Sequence, residues 1–252
     1  MCLEAPGAHR VRVQVLKHLA QVAPAQLSWE AVLPIVAYAS GGWSYRAIPR
    51  LREYGWRLIV SPRSSLRVED FGYAVDNGAW SCYLRGKEWS PKHFMTGLRA
   101  LGASADWAVC PDIVGGGLRS LDLSLRWLPV VLDWCPRAMI AVQNGMVPED
   151  IEDVVRAEVG IFVGGDTTWK LRSLPEWCRF AKRTGIPVHV GRVNSCRRVT
   201  YCRVMGADSF DGSSAKWVLD IDLLERARHE PLIQEVCVHA QALGPSWSRP
   251  PG

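Results

Sequence analysis

The sequence predicts a (β/α)8 barrel, and three observations carry that prediction. Eight short apolar runs recur along the chain, each rich in Val, Ile or aromatic residues and bounded by Gly, Pro, Asp or Ser, as buried strands are. Most of the segments between them can hold a helix, so strand and helix alternate as they do around a parallel sheet. A length of 252 residues is the usual size of such a barrel. A doubly wound open sheet is the main rival, because it is built from the same alternation.

Residues 1–33 read as an N-terminal helical extension, and the barrel is assigned to 34–240. Its first strand is PIVAYA (34–39) and its second RLIVS (57–61). The basic stretch that joins them, SYRAIPRLREYGWR, reads as a solvated helix face. GYAVD (72–76) is the third strand, and the link before it, 62–71, is too short for a normal crossover helix. DWAVC (106–110) and RAMIAV (137–142) are strands four and five. PEDIEDVVRA (148–157) opens with proline, then acids, then an apolar pair at helical spacing, and is expected to be a helix. VGIFVG (159–164) is strand six, and LPEWCRFAKRTG (174–185) is the helix after it, ending on Gly185. IPVHVG (186–191) is strand seven. NSCRRVTYCRVMG (194–206) is a helix capped by Asn194 or Ser195 and stopped by Gly206. ADSFD (207–211) is strand eight; one helix comes after residue 215, and 241–252 reads as a flexible tail.

Composition narrows the function classes. No apolar run approaches the roughly 20 residues that span a bilayer, and the N-terminus lacks an apolar signal core. No membrane partner is expected, and the expected location is the cytoplasm. Eight cysteines form no CxxC pair, which reads as reduced thiols rather than a disulfide frame. With no close Cys/His cluster and no HExxH, neither a metal nor a cofactor is expected. A net charge of +5 permits a nucleic-acid partner without demanding one.

The residues directly after each strand form the informative pattern. Asp76-Asn77-Gly78-Ala79-Trp80 stands after strand three, Asp112 after strand four, and Gln143-Asn144-Gly145 after strand five. Gly164-Gly165-Asp166 stands after strand six, Gly191-Arg192 after strand seven, and strand eight ends at Asp211. In a parallel barrel all these ends meet on one face, where barrel enzymes keep their chemistry. Each has a plain reading by itself. Asp76 is a turn residue in DNG, Asp112 a cap, and Gly164-Gly165 backbone relief. The glycines at 115–117 lack the full spacing of a phosphate loop. His189 reads as a packing or hydrogen-bonding residue. Asp208 and Asp211 lie three apart on a strand and face opposite sides, so Asp208 is assigned a structural role. Together, three carboxylates and an amide on one rim point to a polar ligand.

The order DNGAW, PD, VQNG, VGGD, HVGR, GADSFDG resembles the tRNA-guanine transglycosylase (queuine and archaeosine tRNA-ribosyltransferase) family over roughly 70–215. The family's Asp-Ser-Gly-Gly-aromatic motif falls on Asp76 to Trp80, its strand-four aspartate on Asp112 and its Val-Gln-Gly-Gly glutamine on Gln143. Its Gly-Gly-Leu falls on Gly164 to Asp166, and its Gly-Val-Asp-Met-Phe-Asp, which ends in the nucleophile, on GADSFD and so on Asp211. Asn77 stands in place of serine, Ala79 of glycine and Asp166 of leucine, and the stacking methionine has no clear match near Val190. The zinc-binding subdomain of the tRNA-type enzymes is missing, so the chain looks most like the compact phage-type relatives that place 7-deazaguanines in DNA.

The resemblance implies a base-exchange enzyme that replaces guanine with a 7-deazaguanine through a covalent intermediate between Asp211 and C1′. DNA is the favoured polymer and tRNA the alternative; the location would be the host cytoplasm for a phage protein, and a homodimer is left open. Asp76 is then the general acid and base. Asp112, Gln143, Gly164, Gly165, Asn77 and Trp80 bind the base, and Arg192, Arg197, Arg198 and Arg203 hold phosphates. The rivals are a glycosidase that removes a base without replacing it, a non-catalytic nucleic-acid-binding barrel, and a metal-dependent barrel lyase.

Overall fold

Short runs of β-branched, small and aromatic residues pair in chain order. They are β1 (Val36–Ser40), β2 (Arg57–Val60), β3 (Tyr73–Val75), β4 (Ala108–Val109), β5 (Ala138–Val142), β6 (Val159–Val163), β7 (Val188–Val190) and β8 (Ser209–Gly212). The computed structural model describes residues 34–40, 45–62 and 66–229. The N-terminal extension and the 241–252 tail lie outside the described residues.

Every strand pairs in parallel with the next, and β8 pairs with β1 through Val36↔Ser209, Ala37↔Phe210, Tyr38↔Asp211 and Ala39↔Gly212. That last pairing closes a (β/α)8 barrel and excludes the open sheet, which would leave two edges. The period of two along each strand then sorts residues into two cores. Tyr38, Ile59, Ala74, Trp107, Val109, Met139 and Ala141 fill the barrel interior, with Phe162 packed on them. Their neighbours Ala37, Ala39, Leu58, Val60, Val75 and Phe210 face outward into a larger core under the helices.

The described helices are α1 (Ile48–Glu53), α2 (Ala79–Leu84), α3 (Pro91–Leu101), α4 (Leu118–Trp134), α5 (Thr167–Thr184), α6 (Cys196–Met205) and α7 (Val218–His229). Among the described residues no helix is long and apolar enough to cross a membrane. α5 and α6 stop at Gly185 and Gly206, both left-handed (φ 70° and 85°), as the sequence predicts. α5 starts at Thr167 rather than Leu174, because the Asp166 carboxylate accepts from the Trp169 N–H at 2.9 Å and nucleates the helix upstream. Pro175 sits inside it. Proline leaves the Leu171 carbonyl without its helical donor, and the Tyr201 hydroxyl of α6 donates to it at 2.8 Å.

The expected helix over 148–157 is a 3-10 segment, Pro148–Val154. Glu149, Asp150, Glu152 and Asp153 place like charges three and four apart, which disfavours an α-helix. Asp150 also accepts from the Val147 N–H at 2.9 Å, which holds a tight turn. No helix forms among the described residues of 62–71, in line with the shortness of that link.

At the N-terminal end the barrel is plugged by polar groups. Arg57 donates from two nitrogens to both oxygens of Asp106. The Tyr38 hydroxyl donates to Asp106 at 2.9 Å and accepts from Trp107 Nε1 at 3.2 Å. Gly72 lies against this plug, where a Cβ would come within 2.0 Å of the Arg57 guanidinium. Near the ring closure, Arg228 of α7 donates to the Ile35 carbonyl at 2.8 Å and to Glu225 at 2.6 Å, and Trp56 Nε1 donates to Glu225 at 2.6 Å.

Candidate active site

The C-terminal strand ends surround one cavity of about 990 Å³. Asp76, Asp112, Gln143, Gly164, Gly165 and Asp211 all line it, although they span 136 positions (76 to 211 inclusive) of the chain. Asn77, Trp80, Arg192 and Arg198 line it as well. Arg197 is exposed and is not among the lining residues. Arg203, expected to hold a phosphate, is instead buried against α7, where it donates to the Ala227 carbonyl at 2.8 Å, so it cannot serve a phosphate.

Asp211 points inward from β8 and is 5% exposed. Its Oδ1 accepts from the Arg192 backbone N–H at 3.2 Å and meets His189 Nε2 at 3.2 Å. Burial raises its pKa, but the hydrogen bond and charge of His189, the hydrogen bond from Ser40 and the charge of Lys170 outweigh burial and hold it below the usual carboxylate range. His189 is fully buried on β7, and burial pushes its pKa down against the pull of Asp211. A neutral imidazole beside an ionised carboxylate donates from Nε2, leaving Nδ1 to accept from the Ser209 hydroxyl at 2.9 Å. In both protonation states His189 Nε2 donates to Asp211, which favours the ionised carboxylate.

His189 is also the centre of the interior aromatic layer. Its ring lies 4.7 Å from Trp107, 5.0 Å from Phe162 in a stacked arrangement, and 5.5 Å from Tyr38. The layer fixes the imidazole orientation and makes Phe162 part of the cavity lining. Beneath the loop after β7, Lys170 of α5 is 4% exposed and donates from Nζ to the Gly191 carbonyl. Burial first, and Arg192 second, lower its pKa to about 8, so it still carries charge at neutrality.

Asp76 lies across the cavity. Burial first, then the charges of Asp112 and Asp211, raise its pKa to about 7. Its Oδ2 accepts from the Gly78 N–H at 3.1 Å, the turn contact that DNG suggests. Asp112 is raised to about 6 by burial, against hydrogen bonds from Asn77 and Gln143 and the charge of Arg192. One rim thus holds a carboxylate that is ionised at neutral pH and another that exchanges its proton near neutrality.

The amides around Asp112 are engaged within the protein. Asn77 Nδ2 donates to the Cys110 carbonyl at 2.7 Å and to Asp112 at 2.8 Å, and its Oδ1 accepts from the Ala79 N–H at 2.8 Å. Asn77 therefore orients Asp112 and has no amide hydrogen left for a base. Gln143 Nε2 donates to Asp112 and to Ser120, while its Oε1 accepts from the Gly115 N–H at 2.6 Å. The glycine run at 115–117 thus positions Gln143. Each Asp112 oxygen and Gln143 Oε1 keeps further acceptor capacity toward the cavity.

Arg192 closes part of the mouth. Its backbone is left-handed (φ 60°), its Nη2 donates to the Gly165 carbonyl, and its guanidinium lies 4.1 Å from the Trp80 ring centroid. Trp80 comes after β3 and Arg192 after β7, four strands on, so the contact bridges the ring. Gly212 is small for a structural reason: a Cβ there would lie 2.4 Å from the Val193 carbonyl. Asp208, exposed at the start of β8, accepts from the Val188 N–H at 2.7 Å and stays outside the cavity.

Sequence reasoning misses Ser40, Phe162 and Lys170 and underrates His189. The only signal for His189 was its position one strand pair from Asp211, two residues before a strand-end glycine. No protein-family model matches this chain, and no curated protein matches it.

Proposed function

We propose that the chain is a base-exchange transglycosylase that replaces guanine in a nucleic acid, in DNA rather than tRNA, with a 7-deazaguanine. One observation carries the reading: two carboxylates on one cavity, Asp211 buried and Asp76 half-buried, are pushed apart in protonation, Asp211 downward and Asp76 up to about 7. Such a division suits a nucleophile that needs no base and an acid that returns as a base. The resemblance in strand-end motifs names the substrates.

Asp211 attacks C1′ as the bond from C1′ to the guanine nitrogen breaks, and the bonding electrons leave with the base. The Asp76 proton goes to the departing guanine. The incoming 7-deazaguanine then gives its N9 proton to Asp76, and N9 attacks C1′ while the Asp211 carboxylate is released. Asp76 ends protonated, as it began, and two displacements give retention at C1′. Asp112 accepts N–H bonds from the base edge, with Gln143 and the Gly164–Gly165 backbone beside it. The Gly165 carbonyl already accepts from Arg192 and the Gly164 N–H donates to the Val142 carbonyl at 2.9 Å, which leaves the Gly164 carbonyl and the Gly165 N–H for the base. Trp80 serves as a stacking wall once the guanidinium of Arg192 moves from its ring to a phosphate. Arg198 takes a second phosphate, and a pairwise loss of these charges weakens the salt dependence of binding.

The test is incubation with labelled 7-cyano-7-deazaguanine and guanine-containing DNA or tRNA. Label in DNA supports the reading, and label in tRNA alone moves the polymer. Label in neither, with free guanine and abasic sites produced, assigns a base-removing glycosidase. Nucleic-acid binding with no chemistry, unchanged in Asp211→Ala, assigns a binding barrel. A denaturation-resistant adduct of protein and nucleic acid that disappears in Asp211→Ala identifies the nucleophile.

A further inference from the structure

The inner wall of the cavity is acidic through Asp76, Asp112 and Asp211, so a phosphate backbone is repelled from it and has to run along the rim. The arginines on that rim are Arg85, Arg192 and Arg198. Between them a line of contacts runs from the Arg192 guanidinium to the Trp80 ring, and from Trp80 to Tyr83, whose rings are stacked at 5.6 Å and 25°. Tyr83 lines the cavity and is 61% exposed, and Leu84, next to it in α2, is 65% exposed; apolar groups this open mark a contact surface when clustered beside a pocket. The ledge is fixed to the chemistry. α2 begins directly after Gly78, whose N–H is held by Asp76, and Trp89 Nε1 donates to the Asn77 carbonyl at 2.8 Å.

We propose that Tyr83 and Leu84 form a stacking ledge for the nucleotide next to the target guanine, flanked by Arg85 for its phosphate, so that the polymer is bound unpaired or locally unpaired. The proposal rests on the base-exchange reading. A target base drawn into the cavity leaves its neighbour with one bare face, and an aromatic ring held parallel at the mouth replaces the lost stacking whatever the neighbour's identity. Tyr83 stands on a helix at the mouth beside Trp80, so a neighbouring base reaches it most readily when it too has left the duplex stack.

The experiment uses the full chain and a guanine-containing oligonucleotide with 2-aminopurine beside the guanine, as single strand and as duplex. In the wild type the single strand is expected to bind more tightly and 2-aminopurine fluorescence to be quenched. Tyr83→Ala is expected to weaken single-strand binding about tenfold and to lose the quench, while Tyr83→Phe keeps both. A thermal melt of each variant checks folding. Unchanged affinity and quench in Tyr83→Ala, or tighter binding of the duplex, overturns the ledge; if the wild type still exchanges the base, base exchange stands. Tyr83-dependent quenching without base exchange keeps the ledge as a nucleic-acid surface and sinks the enzymatic reading. A wild-type dimer that dissociates on Tyr83→Ala assigns the ledge to a second copy of the chain and overturns the proposal.

Discussion

At the N-terminal end of the barrel Asp106 faces Arg57 in a two-point ion pair and also accepts from Tyr38. At the C-terminal end Asp76, Asp112 and Asp211 share one cavity, and among the described residues none of them forms an ion pair with lysine or arginine. The first arrangement satisfies its charges and closes the interior. The second leaves carboxylates facing each other and a cavity, held by hydrogen-bond donors and by cations at a distance. Like charges placed together in low dielectric raise one another's pKa and destabilise the fold. The difference separates an end whose charges are paired from an end whose carboxylates are left facing a cavity, as the two faces of this fold are expected to differ.

Substitutions at the two ends should therefore behave in opposite ways. The largest effect is expected for Asp211→Ala, which should lower base exchange by about 10⁴-fold or more, since Asp76 and Asp112, the other carboxylates lining the cavity, are raised rather than lowered in pKa. Residual incorporation near the wild-type rate would remove Asp211 from its role. Asp76→Asn should lower exchange by about 10²–10⁴-fold while making the protein more stable at alkaline pH. The sign comes from linkage. The folded pKa of about 7 lies above the unfolded value, so the native state binds more protons between the two. Stability therefore falls as pH rises through that window. Removing the group should add roughly 2–4 kcal/mol at pH 8 and little at pH 4, measured by urea unfolding at both. If base exchange is the reaction, the same proton should set the alkaline limb of the wild-type rate near pH 7, because the departing guanine would need Asp76 protonated.

Asp106→Ala at the opposite end should do the reverse. It leaves Arg57 and Tyr38 without their acceptor and should destabilise by about 1–3 kcal/mol, while the exchange rate per folded molecule stays near that of the wild type. The figure is kept low because both side chains of the ion pair are partly solvated. His189→Phe keeps ring volume in the aromatic layer and removes the donor to Asp211. Exchange should fall about tenfold, and the acid limb of the pH–rate profile should move up as the Asp211 pKa rises. An unmoved acid limb would make His189 a packing residue only.

The barrel was legible because its signals are local. Runs such as VGIFVG and IPVHVG carry strand propensity and boundaries within a few residues. The glycines at 185 and 206 stop their helices for reasons internal to each helix. The acidic 148–154 segment misled because its pattern of apolar residues fits a helix while its charges do not. The upstream start of α5 was missed because a cap at Asp166 outweighs a proline at 175, whose carbonyl partner is served by Tyr201 from another helix.

The rim was legible for the same reason and only to the same depth. A residue directly after a barrel strand lies at the C-terminal end whatever surrounds it, so Asp76, Asp112, Gln143 and Asp211 could be placed together from strand order alone. Tertiary structure alone decided what each one does. It engaged the amide of Asn77, buried Arg203 under α7, laid Arg192 across the mouth onto Trp80, and put His189 under Asp211. Protonation depends on burial and on charges a few ångströms away, and those neighbours come from strands far apart in sequence. Sequence could therefore fix where the carboxylates stand, whereas only packing could set Asp211 low and Asp76 near neutrality.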